Sequence, residues 1–178
     1  MTQTPQRPSY VEAIARSGVL GRLAAFDPHV AGTPPLGLDL PASDIDILCH
    51  APDPLRFAEA VWHAFADQPD FAIWQWQGSD RPMVARFRCV GWIFELFGQA
   101  RPVAEQLGWR HFRIEQRLLA LGGPAFAEAI MALRRAGAKT EPAFAQLLGL
   151  DGDPYAALLL LEPLDDAGLA ARLNRATR

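Results

Sequence analysis

Asp44 and Asp46 stand one residue apart in the apolar run "ASDIDILCH", residues 42–50. The run alternates as a strand, expected over 43–50, and a strand sends residues i and i+2 to one face. Both carboxylates therefore point the same way, while Ile45 and Ile47 point the other way into a core. Carboxylates are rarely buried unless paired, hydrogen-bonded or metal-bound. Two held side by side repel, and a bound cation is the usual remedy. The competing reading is that Asp44 ends a turn after Pro41 and Asp46 pairs with an arginine.

The flanking chain supplies the rest of a sheet. Ser9 is placed to cap a helix with apolar positions Val11, Ile14, Ala15, Leu20 and Leu23, running to Phe26 with a break near Gly18. A short strand is expected over 29–32, then a Gly/Pro-rich turn. "PDPLRFAEAVWHAFADQ" reads as a helix with Pro54 in its first turn and Leu55, Ala58, Val61, Trp62 and Phe65 on one face. "DFAIWQWQG" alternates as a strand. "PMVARFRCV" and "WIFELFG", separated only by Gly91, read as a tight hairpin.

Beyond Pro102 the pattern is helical alone, over 103–121, 124–136, 141–148, 154–161 and 164–174, with Gly122, Gly137 and Gly149 at helix ends. The expected class is α+β, with a core over residues 1–100 and a helical portion over 101–178. No Pro/Ser-rich linker divides them. They are expected to form one compact unit, with a cleft between sheet and helices.

Gly32-Thr33 after a short strand, then ten residues, then Asp44-Ile45-Asp46, resembles the signature of the DNA polymerase beta-like nucleotidyltransferase superfamily. A third carboxylate on a later strand completes such a site, and Glu95 in "WIFELFG" is the candidate. More closely, "GTPPLGLDLPASDIDILC", "FELFGQARPVAEQLGWRHFRIE" and "AKTEPAFAQLLGLDGDPYAALL" resemble the small bacterial proteins grouped as domain of unknown function 4269. That resemblance runs from Gly32 to Leu160.

The resemblance implies a nucleotidyltransferase-like mixed sheet with helices. It also implies Asp44, Asp46 and Glu95 as metal ligands and catalytic residues. Three carboxylates would hold Mg²⁺, with two ions about 3.5–4 Å apart and Mn²⁺ as a substitute, against an NTP donor. Hard oxygen ligands suit Mg²⁺. The Gly32-Thr33 turn would bring backbone N–H groups and a hydroxyl to phosphate. Thr33 replaces the usual serine and Glu95 the commoner aspartate, and "PPLGLDLPAS" is too rich in Pro and Gly for a regular helix. Read from the residues alone, Glu95 is also open to a salt bridge with Arg86 or Arg88, and Asp39 reads as a turn residue, with a ligand role as the rival.

On the helix expected over 103–121, Val103, Leu107, Ile114, Leu118 and Leu121 form one apolar stripe. His111 falls within it, either as a satisfied core histidine or as a cleft residue. Arg110 borders it and is the candidate for triphosphate contact, while Arg113 and Arg117 turn toward solvent. Lys139 is the only lysine. It lies before Thr140, an expected N-cap, and a lysine beside free helix N–H groups suits phosphate. The rival reading is a plain loop cation.

The net charge of −3 and pI near 5.8 argue against a dedicated nucleic-acid binder. The expected partners are a nucleotide triphosphate and a small-molecule or protein acceptor. No P-loop, dinucleotide fingerprint or nucleophile elbow is present, and the four histidines lack metal-ligand spacing. Cys49 and Cys89 read as reduced thiols of a cytoplasmic protein. No apolar run is long enough to span a bilayer. The expected function is Mg²⁺-dependent nucleotidyl transfer, and the alternative is a nucleotide-sensing or protein-binding module with little turnover.

Overall fold

The structure, a computed structural model, describes residues 7–78 and 80–176. It divides into two compact units. The first runs to Pro35 and resumes over Pro41–Gln106, and the second takes Leu36–Leu40 and the chain from Leu107 onward.

In the first unit Ser9 caps α1 (Tyr10–Ser17), accepting from the Glu12 N–H at 3.2 Å. Gly18, at φ 65°, ends α1 and opens α2 (Val19–Arg22), and a 3-10 turn follows over Ala24–Phe26. This break puts the two segments out of phase. The buried residues are Ala13, Ser17, Val19 and Leu23, whereas Val11 and Ala15 of the expected stripe are exposed.

Strands β1 (His29–Ala31) and β2 (Ile45–His50) come next, followed by α3 (Pro54–Phe65). After them come β3 (Ala72–Gln75), β4 (Met83–Cys89) and β5 (Trp92–Gln99). They form one mixed sheet of order β1-β2-β5-β4-β3, in which only the β2–β5 pair is parallel. Val90 and Gly91, at φ 50° and 76°, turn the β4–β5 hairpin. Two successive positive φ values are what a two-residue type I′ turn needs.

One face of the sheet is core. Ile45, Ile47 and Cys49, with Ala85, Phe87, Phe94 and Leu96, pack with Phe57, Val61 and Phe65 of α3. The rings of Phe65, Phe87 and Phe94 stack in series, at 4.6 and 5.4 Å between centroids. Each such buried side chain contributes about 1.5–3 kcal/mol. The helix comes close at Gly98, where an added Cβ would lie 2.5 Å from Phe57 Cδ1. The face α3 buries is the i, i+4, i+8 row Phe57, Val61, Phe65, flanked by Ala60 and Ala64. Leu55 and Trp62 of the expected face are exposed, and Trp62 instead meets Phe71 edge-on at 5.6 Å.

In the second unit α4 (Leu107–Arg135) is two helices joined at Gly123, whose φ of 67° and ψ of −169° are not helical, with Pro124 following. The sequence expects this break. It also expects helix from residue 103, but Val103–Glu105 is a separate 3-10 turn. The buried stripe is His111, Ile114, Glu115 and Leu118, and Leu107 and Leu121 are exposed. Helices α5 (Thr140–Leu147), α6 (Pro154–Leu159) and α7 (Asp166–Ala176) complete the unit.

Its core joins Ile114, Leu118, Ile130, Phe144, Leu158 and Leu169 with Leu38, whose carbonyl accepts from Arg134 Nε at 2.9 Å. Arg117 does not simply face solvent. It binds Asp166 and the carbonyls of Glu162 and Leu164, tying down the start of α7. Among the described residues no helix is long and apolar enough to cross a membrane.

Candidate functional site

Asp46 sits in β2 between two strands, with Ala31 of β1 and Glu95 of β5 as its Cα partners. In-register neighbours send their side chains to the same face, so Asp46 and Glu95 share the face opposite the aromatic core. Asp44 lies outside the ladder, because β2 begins at Ile45 rather than Ser43. One carboxylate oxygen from each of Asp44, Asp46 and Glu95 nonetheless lies within 4.8 Å of the others, and all three residues are half-buried.

Glu95 stands beside the two aspartates and beside an arginine at once. Arg86 is its partner on β4, with Nε 3.5 Å from Oε1. Burial first and Asp44 second still push the Glu95 carboxyl above its ordinary range, with Arg86 opposing. The guanidinium is 48% exposed and Glu95 only 26%, so solvent weakens the compensation. Arg88 is not a rival partner for Glu95, since it binds Asp70 at 2.6 Å.

Gly32, at φ 76°, packs directly on Asp46. A Cβ there would collide with Oδ2 and lie 3.1 Å from Cγ. The adjoining Thr33 hydroxyl donates to Ser43 Oγ at 3.3 Å, joining the turn to the residue before Asp44. Sequence reasoning missed Ser43, whose only signal is its place beside Asp44. The chain then makes just a 3-10 turn, Pro34–Leu36, as its Pro and Gly content leads one to expect. Pro34 and Pro35 have no N–H, so Gly32, Thr33 and the hydroxyl are the donors this turn can offer.

The donor set fits a hard cation. Three carboxylates on one face suit Mg²⁺ or Mn²⁺ rather than a thiophilic metal. Cys49 belongs to the core face of β2, and burial, then Asp27, push its thiol up to about 12. It stays a thiol and is no ligand.

Arg110 and Lys139 belong to the second unit. Arg110 is already engaged: its Nε and Nη2 donate to Glu162 Oε2 at 2.9 and 2.5 Å. That bond raises the Arg110 pKa and lowers that of Glu162. Buried His111 has Nε2 at 3.0 Å from the Tyr155 carbonyl, which satisfies it structurally. Lys139, not Thr140, is the N-cap residue of α5, and that helix has no side-chain cap. The Thr140 hydroxyl turns inward to accept from Arg134. The Lys139 carbonyl accepts from the Ala143 N–H at 3.0 Å, while its side chain is exposed and makes no hydrogen bond or ion pair among the described residues. Glu115 also escaped sequence reasoning, although it stands four residues after His111 on the stripe that proves buried.

The family model for the domain of unknown function DUF4269 matches residues 12–161. The chain belongs to this family. No curated protein matches it. Among solved structures the DUF4269 chain is similar to Cid1, studied for its RNA terminal uridylyl transferase activity. The TM-score is 0.54 at 12% identity, covering 87% of this chain and 49% of that one. It is similar to the Cid1 poly(U) polymerase with MgGTP bound, at TM-score 0.53 and 14% identity over 86% and 48%. It is also similar to a chain of the GLD-2/RNP-8 complex, at 0.51 and 10% over 90% and 59%. The chain thus spans about half the length of these structures. At such identities the likeness shows the fold: a nucleotidyltransferase-like α+β arrangement of a mixed sheet and helices.

Proposed function

We propose that this protein is a divalent-metal-dependent nucleotidyltransferase that moves a nucleotidyl group from an NTP to a hydroxyl of a small-molecule or protein acceptor. The convergence of Asp44, Asp46 and Glu95 within 4.8 Å carries this reading. These residues would hold Mg²⁺, which neutralises triphosphate charge and acidifies the acceptor hydroxyl. The acceptor oxygen attacks the α-phosphorus, the bond to the bridging oxygen of the β-phosphate breaks, and pyrophosphate leaves. Glu95 is the carboxylate proposed to take the hydroxyl proton. Gly32 and Thr33 present N–H groups to phosphate. Lys139 and Arg110, expected from the sequence to offset triphosphate charge, belong to the second unit, and Arg110 would first have to exchange Glu162 for phosphate.

The acidic chain, with net charge −3, favours a small-molecule or protein acceptor over a polynucleotide. The two free cysteines agree with a cytoplasmic setting. A second reading, nucleotide binding with little turnover, draws on Arg86 beside Glu95 and Glu162 on Arg110.

Mass spectrometry after incubation with each NTP, Mg²⁺ and fractionated small molecules, proteins or RNA separates these. The expected result is an acceptor heavier by one nucleoside monophosphate, with pyrophosphate released, and neither seen for Asp46→Asn. Metal-dependent NTP binding without product would favour the second reading. Extension of RNA would replace the acceptor class, and no metal-dependent binding at all would overturn both.

A further inference from the structure

Asp44 is the one carboxylate of the cluster that no strand ladder holds, since β2 begins at the next residue. The chain rejoins the first unit at Pro41, only three residues earlier, after Leu36–Leu40 has packed with the second. Something must fix the returning segment if Asp44 is to keep its place.

Arg7 does this by two contacts at once. One terminal nitrogen of its guanidinium donates to the carbonyls of Pro41 at 3.0 Å and Ser43 at 2.9 Å, bracketing the approach to Asp44. The guanidinium also lies over the Trp92 ring, 3.3 Å from its centroid. Trp92 is buried and opens β5, the strand that carries Glu95 three residues on. Its indole N–H donates to the Pro8 carbonyl at 2.8 Å, so the face and the edge of one indole hold the Arg7-Pro8 segment. Arg7 therefore braces the backbone before Asp44 against the strand of Glu95.

We infer that Arg7 is a positioning residue for the carboxylate cluster: stacked on Trp92, it holds the Pro41–Ser43 segment so that Asp44 meets Asp46 and Glu95 with its oxygen aimed at a shared cation. This rests on the metal-site reading above. Residues that orient ligands from behind typically change metal affinity by about ten- to a hundredfold. A lysine replaces Arg7 only in part, because it keeps the charge but lacks both the planar stacking surface and the fork of donors.

The test is Mn²⁺ titration of the full chain by calorimetry at a temperature well below unfolding. Arg7→Ala is expected to raise the Mn²⁺ Kd about tenfold, and Arg7→Lys is expected to fall between it and the parent. Because Arg7 acts through Asp44, Arg7→Ala made on top of Asp44→Asn is expected to add less than about twofold. Should Arg7→Ala fail to fold, Arg7→Lys is read in its place against the same Asp44→Asn background. Parent-like affinity in the Arg7 variants, or an equal loss with and without Asp44, would overturn the role of Arg7 while leaving the metal site standing. No Mn²⁺ binding by the parent would overturn the metal site, and the role of Arg7 with it.

Discussion

Asp46 and Glu95 are Cα partners across the parallel β2–β5 pair, and Arg86 lies next in the same row on β4. The row thus runs acid, acid, base across adjacent strands, with Asp44 adding a third acid from outside the ladder. Burial first and the Asp44 charge second raise the Glu95 pKa, and Arg86 opposes them.

Glu95→Gln keeps the shape and deletes one charge. A carboxyl whose pKa is raised on folding holds its proton longer in the folded state than in the unfolded one. Its contribution to stability therefore falls as pH rises from the ordinary carboxylate range upward. In chelator the variant is expected to melt above the parent at pH 8, with the gap closing toward pH 4–5. Loss of the half-exposed Arg86 pair subtracts about 0.2–1 kcal/mol at every pH where it is charged. Mn²⁺ is expected to raise the melting temperature of the parent far more than that of the variant. A variant that melts lower at all pH values yet keeps the Mn²⁺ response would assign Glu95 to Arg86 alone.

Gly32→Ala meets two obstacles together, a positive φ and the Asp46 carboxylate in the path of its Cβ. The backbone cost alone is on the order of 1 kcal/mol. Asp46 must also swing away, so metal affinity is expected to fall more than stability. Urea denaturation and Mn²⁺ titration on the same preparation check this. Unchanged Mn²⁺ affinity would separate the turn from the carboxylate site.

Lys139→Ala tests the phosphate role of the one lysine. Because Lys139 is exposed, its ion pair with a triphosphate is expected to be worth under about 1 kcal/mol, or less than about fivefold in Kd. ATP binding should weaken by that factor while adenosine binding stays unchanged. Equal loss for both ligands, or for neither, would return Lys139 to a plain loop cation.

The elements closest to the site were the most legible in the sequence, for a physical reason. "DIDI" alternates, and "WIFELFG" sets one acid among large apolar residues, and in a strand the period of two fixes which side chains share a face. Hence the shared face of Asp44 and Asp46 and the core placement of Ile45 and Ile47 could be argued in advance, whereas Glu95 entered through the resemblance, and Arg86 and Arg88 stayed open as its partner until the register was seen. Helix faces were less legible. In α3 and α1 several stripes compete, and the one that wins depends on what the sheet offers opposite it. The ring stack of Phe65, Phe87 and Phe94 selects Phe57, Val61 and Phe65 over the row containing Leu55 and Trp62. The pairing of Arg110 with Glu162 was not legible, because 52 residues separate the two. Arg7 was invisible for the same reason: its contacts are with carbonyls 34 and 36 residues on and with the Trp92 ring at the start of β5.

Glu115 gives the last prediction, in the second unit. It is 5% exposed, and its Oε1 has no hydrogen-bond partner. Burial, then Glu141, push its carboxyl well above the ordinary range, with Arg134 opposing. The folded chain therefore keeps this proton where the unfolded chain has lost it, and stability contributed here declines as pH rises above the usual carboxylate pKa. One proton limits that slope to about 1.4 kcal/mol per pH unit. Glu115→Gln cannot titrate, so the variant-minus-parent difference in melting temperature is expected to grow more positive from pH 5 to pH 8. At pH 5 the variant should match the parent or lie slightly below it, since glutamine brings a second amide proton needing an acceptor. At pH 8 a gain on the order of 3 °C or more is expected for a chain of this size. Glu95 contributes a slope of the same sign, so the comparison is made in the Glu95→Gln background, where that slope is gone. A difference independent of pH would mean that Glu115 keeps one protonation state in both folded and unfolded chains, and that Arg134 neutralises it far better than its orphaned oxygen suggests.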